Sequence, residues 1–388
     1  MAAKRKIIES YSGFEQGPIR PPSEANSLLI RITRNCPWNR CKFCRAYREK
    51  KFSIRPLDHV IRDIDSVAAH VETLRGIALQ YGRLTQEQVN TAFKNIGNDQ
   101  LEPYYAAVNW FAGGMESIFL QDGNSLVRKP EELIAILNHL KSSFPWIQRI
   151  TSYARSHTVA KIKPDILESM GKAGLNRIHV GLESGSDEVL RNVNKGVTKE
   201  LHIKAGLNIK KAGIELSEYV MPGLGGIKLS EVHARETADA LNSINPDFIR
   251  IRTLAVPNGI ELFDDYKAGI FEKCTDVMMA KETLFFIESL KDITSVIKSD
   301  HILNLFGDLE GTLPHDKERM VNMLQSFIDM DPRQQCVYQV GRRLGHFYGL
   351  QDMNDHYKLK KTETVCDENG ITPDNVEQVI EDMINRFI

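Results

Sequence analysis

The sequence predicts an α/β fold: a partial (β/α)6 barrel with a helical insertion and a helical C-terminal domain. Short runs of β-branched and apolar residues recur, and five of them begin near residues 117, 149, 177, 216 and 248. That spacing of about 30 residues is what one strand and one crossover helix occupy. The segments between the runs have helical periodicity, and alternating strands and helices indicate a parallel sheet. Right-handed crossovers would curl this sheet into a TIM-like barrel with functional loops at the carboxyl ends of its strands.

Composition and charge agree with an ordinary globular protein. The chain has 388 residues, of which 42% are hydrophobic and 26% charged, enough apolar material for one or two cores. Its formal net charge of -1 gives no electrostatic argument for a nucleic-acid or membrane partner. No apolar run is long enough for a membrane span or a signal peptide, so we expect a cytoplasmic protein.

The first part of the chain divides into a lead-in, a core and an insertion. Residues 1–26 are proline-rich and predict an irregular lead-in, and the core is expected over residues 27–260. An insertion at about residues 50–114 is mostly helical by pattern and lies next to a cysteine-rich loop, as either a substrate-side wall or a packing appendage. The predicted strands are 27–32, 117–120, 149–152, 177–181, 216–221 and 248–254.

Helices are predicted between these strands and after them. Apolar residues at helical spacing, with glycine or proline at the boundaries, predict helices over 130–142, 164–173, 188–193 and 199–212. After Pro257 the strand pattern stops, and residues 261–388 are expected to form a domain of helices alone, over 278–291, 316–330, 332–345 and 373–387.

Three cysteines follow the first strand in a C-x4-C-x2-C loop formed by Cys36, Cys41 and Cys44. Three thiolates on one short loop can hold a single metal ion or three corners of an iron-sulfur cube. A structural zinc site with His59 as fourth ligand is the main alternative, although His59 falls in a helical pattern. The other cysteines, Cys274, Cys336 and Cys366, are widely spaced and are either ordinary buried thiols, ligands of an auxiliary cluster or hydrogen-atom donors.

This loop resembles the cluster-binding loop of the radical S-adenosylmethionine (radical SAM) superfamily. In that family a C-x3-C-x2-C loop binds a [4Fe-4S] cluster whose fourth iron is coordinated by S-adenosylmethionine (SAM), so the resemblance assigns Cys36, Cys41 and Cys44 to the cluster. The aromatic residue before the last cysteine is Phe43, which by this resemblance shields the cluster and contacts adenine. The chain departs from the family pattern by one extra residue between Cys36 and Cys41.

Motifs at later strand ends extend the resemblance over about residues 27–260. Asp122, Gly123 and Asn124 stand where the family has a turn that holds the SAM amino group. After the next strand, Ser152 and Arg155 are placed to face the methionine part of SAM. The following strand ends in GLESGSD, in which Glu183 is expected to bind the ribose and Ser184 to lie beside it.

The last two strand ends complete the resemblance. Met221 precedes a Pro-Gly-Leu-Gly-Gly turn like the one that lies beside adenine in the family, and Leu254 ends the closing strand. These motifs are similar to the Elp3-, MiaB- and NifB-like and coproporphyrinogen-oxidase-like branch of the superfamily, with no specific member identified. Tyr153 and Tyr219 either line the substrate cavity or only pack, and His233 is either a polar helix residue or a proton-transfer group.

The resemblance implies an oxygen-sensitive enzyme in which the reduced cluster cleaves SAM to methionine and a 5'-deoxyadenosyl radical. That radical would remove hydrogen from an unidentified small-molecule or peptide substrate, with flavodoxin or ferredoxin as the electron donor. Methyl transfer or methylthio transfer are alternatives in the same class, although no upstream cysteine-rich domain supports the latter. A haem or metal carrier on the same scaffold is the non-catalytic alternative.

Overall fold

The computed structural model describes residues 9–82 and 84–387, with side chains described as far as Ile384. Its central feature is an eight-stranded sheet in the order β1-β4-β5-β6-β7-β8-β9-β10, joined by a two-stranded β2-β3 ladder. The strands are β1 (Leu28–Arg31), β2 (Thr33–Arg34), β3 (Ser53–Ile54), β4 (Ser117–Gln121), β5 (Arg149–Ala154), β6 (Leu175–Glu183), β7 (Glu215–Val220), β8 (Phe248–Ile251), β9 (Val296–Lys298) and β10 (Gly311–Thr312).

Neighbouring strands from β1 to β9 pair in parallel, and β10 pairs antiparallel with β9. All parallel strands therefore end at one edge, where the loops between strands and helices come together. Within residues 9–82 and 84–387 the outer strands β1 and β10 are not paired with each other, so the barrel is partial. The predicted fold class, a partial parallel α/β barrel, is confirmed.

The two faces of the sheet differ in what they contact. Ile118, Leu120, Ile178 and Val180 belong to the main hydrophobic core together with residues from the surrounding helices. Because side chains alternate along a strand, the residues between them face the opposite side, the barrel interior. Rings from four neighbouring strands contact one another there: Phe119, Tyr153, His179 and Tyr219.

The insertion between β3 and β4 is helical, as predicted. Its helices are α1 (Leu57–Tyr81), α2 (Gln86–Ala92) and α3 (Leu101–Ala112). The buried side of α1 includes Val60, Ile64, Val67 and Val71 at helical spacing, and it packs into the main core. His59 lies in the first turn of α1 and is buried against the ring of Tyr11.

The crossover helices follow the sequence pattern closely. They are α4 (Pro130–Ser143), α5 (Ser156–Val159), α6 (Pro164–Lys172), α7 (Asp187–Asn192), α8 (Lys199–Lys211) and α9 (Gly226–Ile244). Proline begins α4 and α6, where its missing N–H costs no helical hydrogen bond. The side chains of Ser186 and Thr198 cap α7 and α8 by accepting backbone hydrogen bonds.

The expectation of helices alone after residue 260 is wrong at two places. Strand β9 extends the sheet by pairing with β8, from Phe248 opposite Val296 to Arg250 opposite Lys298, and β10 follows it. A three-residue strand has no detectable periodicity, and the free edge of β8 is what gives it a partner. The helices of this part are α10 (Glu261–Lys267), α11 (Asp276–Ser289), α12 (Lys317–Ile328), α13 (Pro332–Arg343), α14 (His356–Glu368) and α15 (Val376–Phe387).

The described part of the lead-in, residues 9–26, is irregular apart from a 3-10 turn at Pro22–Glu24. It is nevertheless tied to the barrel. The Gln121 side chain donates hydrogen bonds to the carbonyls of Gly17 and Ile19, and the buried Glu24 contacts His179 in the barrel interior. Among the described residues, no helix is long and apolar enough to cross a membrane.

Candidate active site

The cysteine loop connects β2 to β3 at the edge where the parallel strands end. All three thiols are partly buried. Burial raises the pKa of Cys41 to about 11, and Lys195 and Arg155 oppose this effect. Burial also raises the pKa of Cys44; Cys36 acts electrostatically on both groups, and Cys44 acts on Cys41. The three thiols therefore lie within electrostatic range of one another and of two cations.

Backbone contacts fix the loop on its far side. The amide of Lys42 donates to the carbonyl of Val193, and the carbonyl of Lys42 accepts from the amide of Leu262, both at 3.0 Å. The indole of Trp38 donates to the carbonyl of Asn194 at 2.7 Å. Gly196 has a φ of +68°, and a methyl group there would lie 2.3 Å from the Trp38 ring. Glycine is thus required where the loop after α7 meets the cysteine loop.

Asp122 fixes the base of the same loop. Its Oδ2 accepts from the guanidinium of Arg31 at 2.7 Å and from the amide of Asn35 at 2.9 Å, and Tyr47 donates to its Oδ1 at 3.4 Å. A carboxylate that is fully buried with these partners is satisfied by protein groups alone. Next to it, a Cβ on Gly123 would lie 3.1 Å from Cβ of Cys36, so the β4 loop closely approaches the cysteine loop.

The polar residues after β4 and β5 bond to each other. Asn124 donates to the hydroxyl of Thr158 at 2.7 Å and accepts from the amide of Arg155 at 3.3 Å. Ser152 is buried and donates to the adjacent carbonyl of Tyr153. The Arg155 guanidinium donates to the carbonyl of Lys195 at 2.6 Å and stacks 4.9 Å from the centre of the Trp38 ring.

Glu183 ends β6 in an unusual conformation. Its φ of 64° is rare for a residue with a side chain, and the pairing of β6 with β7 shifts register at this point. Its Oε1 accepts from Lys195 at 3.2 Å, whereas its buried Oε2 has no partner among the described residues. A Cβ on Gly181 would lie 2.4 Å from Oε1, so the Glu183 side chain folds back over the strand end.

A buried histidine joins the loops after β6 and β7. His233 Nε2 lies 3.0 Å from the carbonyl of Met221, and its Nδ1 lies 2.8 Å from the hydroxyl of Ser184. The carbonyl can only accept, so Nε2 carries a proton and donates to it. Glu282 supports the same turn by accepting from the amide of Gly223 at 2.7 Å.

Three of the predicted cofactor contacts meet in a small apolar cluster separate from the main core. Phe43 of the cysteine loop, Met221 and Leu254 pack together with Val189, Val193, Leu224 and Leu229. Their positions in sequence are far apart, yet parallel strand ends bring them to one place. Through Phe43, which directly precedes Cys44, the cluster provides an apolar surface next to the last cysteine of the loop.

The sequence matches the Radical SAM superfamily over residues 30–238, more than half of the chain. The protein belongs to the radical SAM superfamily. Enzymes of this superfamily use a [4Fe-4S] cluster and S-adenosylmethionine, so the predicted enzyme class and cofactors are confirmed at the level of the family.

Comparison with individual curated proteins gives relatives with less than 30% sequence identity. The chain is 24% identical over 367 residues to a tRNA uridine(34) acetyltransferase of Methanocaldococcus infernus, a match that covers 89% of this chain and 64% of the relative. A second acetyltransferase of that name, from Methanocaldococcus jannaschii, is 28% identical over 34% of this chain and 26% of the relative. This chain thus spans less than two thirds of the length of these curated relatives.

Two solved structures align with part of this chain at 20% sequence identity or less. Coproporphyrinogen III oxidase from Escherichia coli aligns with 68% of this chain and 52% of its own, at a TM-score of 0.44 and 15% identity. The archaeal Elp3 of Methanocaldococcus infernus aligns with 48% of each chain, at a TM-score of 0.39 and 20% identity.

Two observations test whether the radical SAM cofactors fit these residues. Partly buried thiols on one loop are the donor type that iron-sulfur clusters use, and the unpaired Oε2 of Glu183 leaves an acceptor for a ligand hydroxyl. In the described residues, no group of three or more His, Cys, Asp or Glu side chains already has the arrangement of a metal site. A zinc site formed by the three cysteines and His59 is likewise not found among the described residues. The assignment of Cys36, Cys41 and Cys44 as cluster ligands stays a prediction.

Sequence reasoning missed three residues close to the predicted site. Lys195 pairs with Glu183, Trp38 lies between Arg155 and the glycine at 196, and Glu218 is fully buried with both carboxylate oxygens unpaired. Burial, followed by Glu183, raises the pKa of Glu218 well above its usual range. A glutamate in the middle of an apolar strand run was the available signal for Glu218, because such a residue requires a reason.

The remaining cysteines lie away from the loop. Cys274 lines a cavity of about 70 Å³ between the loop after β8 and α15, with Lys273 and Glu377. Cys336 and Cys366 are fully buried and hydrogen-bonded to each other between α13 and α14, and the contact lowers the pKa of Cys336 to about 7. Neither location joins a third cysteine in the described residues.

Proposed function

We propose that this protein binds one [4Fe-4S] cluster through Cys36, Cys41 and Cys44 and uses it to cleave SAM reductively. The observation that carries the proposal is a loop of three partly buried thiols, whose base is bonded to Asp122 and whose far side is bonded to Val193. When bound, the cluster supplies an electron that splits SAM into methionine and a 5'-deoxyadenosyl radical, which takes hydrogen from the substrate.

The side chains around the loop have distinct proposed roles. Phe43, Met221 and Leu254 form the apolar surface against which adenine would lie, since their cluster adjoins the last cysteine. Glu183 would accept from the ribose hydroxyls through its unpaired Oε2, because a buried carboxylate oxygen requires a donor. Its pairing with Lys195 holds the carboxylate in place.

Other predicted contacts act through position. Gly123 permits the close approach of the β4 loop to Cys36, whereas Asp122, Asn124, Ser152 and Ser184 have protein partners that order the loops around SAM. Arg155 adds a cation within electrostatic range of Cys41. We propose that the SAM amino and carboxylate groups meet this edge, where Asp122, Asn124 and Ser152 position the loops and Arg155 supplies the cation for the carboxylate.

The wider assignments follow from this proposal. A radical enzyme needs a reductant and a substrate, and we propose flavodoxin or ferredoxin as the reductant in a cytoplasmic setting. We further propose the predicted division into a core at 27–260, which contains β1 to β8, with the insertion at 50–114 and the helices of residues 261–388 closing over the substrate. Such closure would exclude water and oxygen from the radical.

The test is anaerobic purification, quantification of iron and sulfide, and incubation of the reduced protein with SAM. We expect about four irons per chain, as one [4Fe-4S] cluster requires, and formation of 5'-deoxyadenosine. Cys41→Ala should abolish both. Cys366→Ser is the matched control, because Cys366 lies on α14 away from the loop and the proposed SAM contacts, and it should retain iron and SAM cleavage.

Other results would assign a different function. One zinc per chain without iron would contradict the proposal and make the loop a structural metal site. A full cluster without any SAM cleavage under strong reduction would favour a haem or metal carrier. Transfer of a methyl or methylthio group from SAM to the product would place the enzyme among the transferases.

Transfer RNA is a second candidate substrate class, favoured by one observation. The relative from Methanocaldococcus infernus matches 89% of this chain, and its name assigns it to tRNA uridine 34. A tRNA substrate would bind in a salt-dependent manner, because cationic side chains of the protein would displace the counterions condensed on its phosphates. Filter binding of unmodified tRNA at two salt concentrations tests this candidate, and binding that is weak and insensitive to salt would remove it.

A further inference from the structure

The barrel interior contains a layer of aromatic rings below the Glu183 turn. Tyr153 packs edge-on against Phe119 at 5.1 Å between ring centres, and it lies 5.8 Å from His179 and 6.3 Å from Tyr219. These residues stand on β4 to β7 at positions that face away from the helices. The layer thus forms a floor across the interior, and a substrate at the strand ends would rest on it.

This floor has a hydroxyl that lacks a well-aligned partner. Tyr219 is only 7% exposed, and its hydroxyl makes no regular hydrogen bond among the described residues. The hydroxyl of Tyr153 lies within weak hydrogen-bonding range of it, so the two tyrosines share at most one poorly aligned bond and one hydroxyl proton of the pair has no acceptor. A buried hydroxyl proton without an acceptor is costly, so a bound group that accepts it would be stabilised.

Arg252 stands above the floor. Its amide donates to the carbonyl of Val220, which continues the β7–β8 pairing, and it lies two residues beyond Arg250 on the same side of the strand. Its charge acts on Tyr153 and on His301, which locates the guanidinium at the interior mouth. Arg252 is exposed, and within the described ranges no carboxylate forms an ion pair with it.

The neighbouring charges are already compensated. Arg250 pairs with Asp300 and donates to Ser217, Lys195 pairs with Glu183, and Arg31 pairs with Asp122. His301 is held neutral, because burial followed by Arg252 lowers its pKa to about 4. Arg252 therefore contributes a positive charge at the mouth that protein groups on the described strands do not balance.

We propose that the substrate carries a carboxylate, which is bound by the guanidinium of Arg252 and by the hydroxyls of Tyr153 and Tyr219. A planar guanidinium matches the two oxygens of a carboxylate. One unpaired guanidinium balances one carboxylate, whereas a phosphate with a charge of about −1.5 to −2 would remain undercompensated. This inference rests on the proposed function, since it concerns the group presented to the radical.

The first experiment uses the cluster-loaded protein under anaerobic conditions with phenylglyoxal, which modifies accessible arginines. Peptide mass spectrometry measures modification of Arg252 with succinate as the probe, against succinamide and chloride at equal ionic strength. At succinate about four times its dissociation constant, we expect Arg252 to react about fivefold more slowly, because bound protein is protected. Arg235, on the surface of α9 and paired with Glu231, should react at an unchanged rate.

Variants separate the proposed contacts from general effects. Tyr219→Phe should raise the succinate concentration for half-protection about tenfold, since a hydrogen bond to a charged group is lost. Arg252→Gln should abolish the rise in melting temperature that succinate gives the wild type. Arg235→Gln should leave that rise unchanged, and both arginines are exposed, so neither change disturbs a core.

Several results would overturn the inference. Equal modification in succinate and succinamide would exclude a carboxylate site, and protection by inorganic phosphate alone would replace it with a phosphate site. Protection by SAM alone would make Arg252 a cofactor contact, and protection by tRNA without succinate would favour an RNA substrate. Because the readout is modification of one arginine, it can succeed even if SAM cleavage fails, and SAM cleavage can succeed even if protection fails.

Discussion

The base of the cysteine loop and the mouth of the barrel lie at the same sheet edge, but they differ in whether their buried polar groups have hydrogen-bond partners. At the loop base, the carboxylate of Asp122 and the amide of Asn124 bond to protein groups. At the mouth, Oε2 of Glu183 is buried without a partner, and the Tyr219 hydroxyl makes no well-aligned hydrogen bond. Buried polar groups are normally satisfied, so the first region is built to be rigid and the second to receive a ligand.

The largest loss of stability should follow from removing the charge of Asp122 at the base of the cysteine loop. Asp122→Asn would leave Arg31 without its charge partner and weaken the bond to the Asn35 amide, at a cost of about 3 kcal/mol. Urea unfolding measures the change. Glu183→Gln is the matched variant at the mouth, where we expect a smaller loss of about 1 kcal/mol: Lys195 loses its charge partner, but the amide oxygen can still accept from it and the other oxygen is already unpaired. Equal losses at both positions would contradict the comparison.

A second effect tests His233, which joins the loops after β6 and β7. His233→Ala removes hydrogen bonds to Ser184 and to the Met221 carbonyl and leaves a buried acceptor unpaired, so we expect a loss of about 2 kcal/mol. His233→Asn, which can bond one of the two groups, should recover part of it. The loss should accompany weaker SAM binding in equilibrium dialysis, and unchanged SAM affinity would limit His233 to a role in folding.

A third effect concerns Glu218 and pH. Burial raises its pKa in the folded protein above the value in the unfolded chain, so the folded state holds a proton that the unfolded state releases. Stability should therefore fall as pH rises above the unfolded pKa of about 4.5, at up to about 1.4 kcal/mol per pH unit. Glu218→Gln should remove this slope in urea titrations between pH 4 and pH 8, and parallel curves for both proteins would contradict it.

The smallest effect is expected at Tyr219. Its hydroxyl has no regular partner, so Tyr219→Phe should change the free energy of unfolding by less than about 0.5 kcal/mol. Tyr47→Phe is the matched change at the loop base, since Tyr47 donates to Asp122, and it should cost about 1 kcal/mol. Thermal unfolding under identical conditions measures both, and a larger loss at position 219 would show that its hydroxyl is bonded in the folded protein.

Much of the fold could be predicted because its pattern is local. The strands from β4 to β8 are short runs rich in apolar and β-branched residues. Helices α4, α6, α7 and α8 begin at proline, serine or threonine, and α6 and α8 end near Gly174 and Gly213. Strand β9 could not be predicted, because its three residues become a strand only by pairing with the edge of β8. The boundary expected at residue 260 therefore falls inside the region that completes the sheet.

The cysteine spacing, the five strand-end motifs and the alternation of strands and helices are properties of the sequence alone, and they determined the superfamily and the class of cofactor. Only the tertiary structure decided which polar residues are paired. Asp122 and Glu183 are both carboxylates after apolar strands, yet one has Arg31 and Asn35 as partners and the other has a free buried oxygen. The partners come from segments far apart in sequence, which meet because parallel strands end at one edge. The sequence alone does not give the distances between these segments in the folded protein.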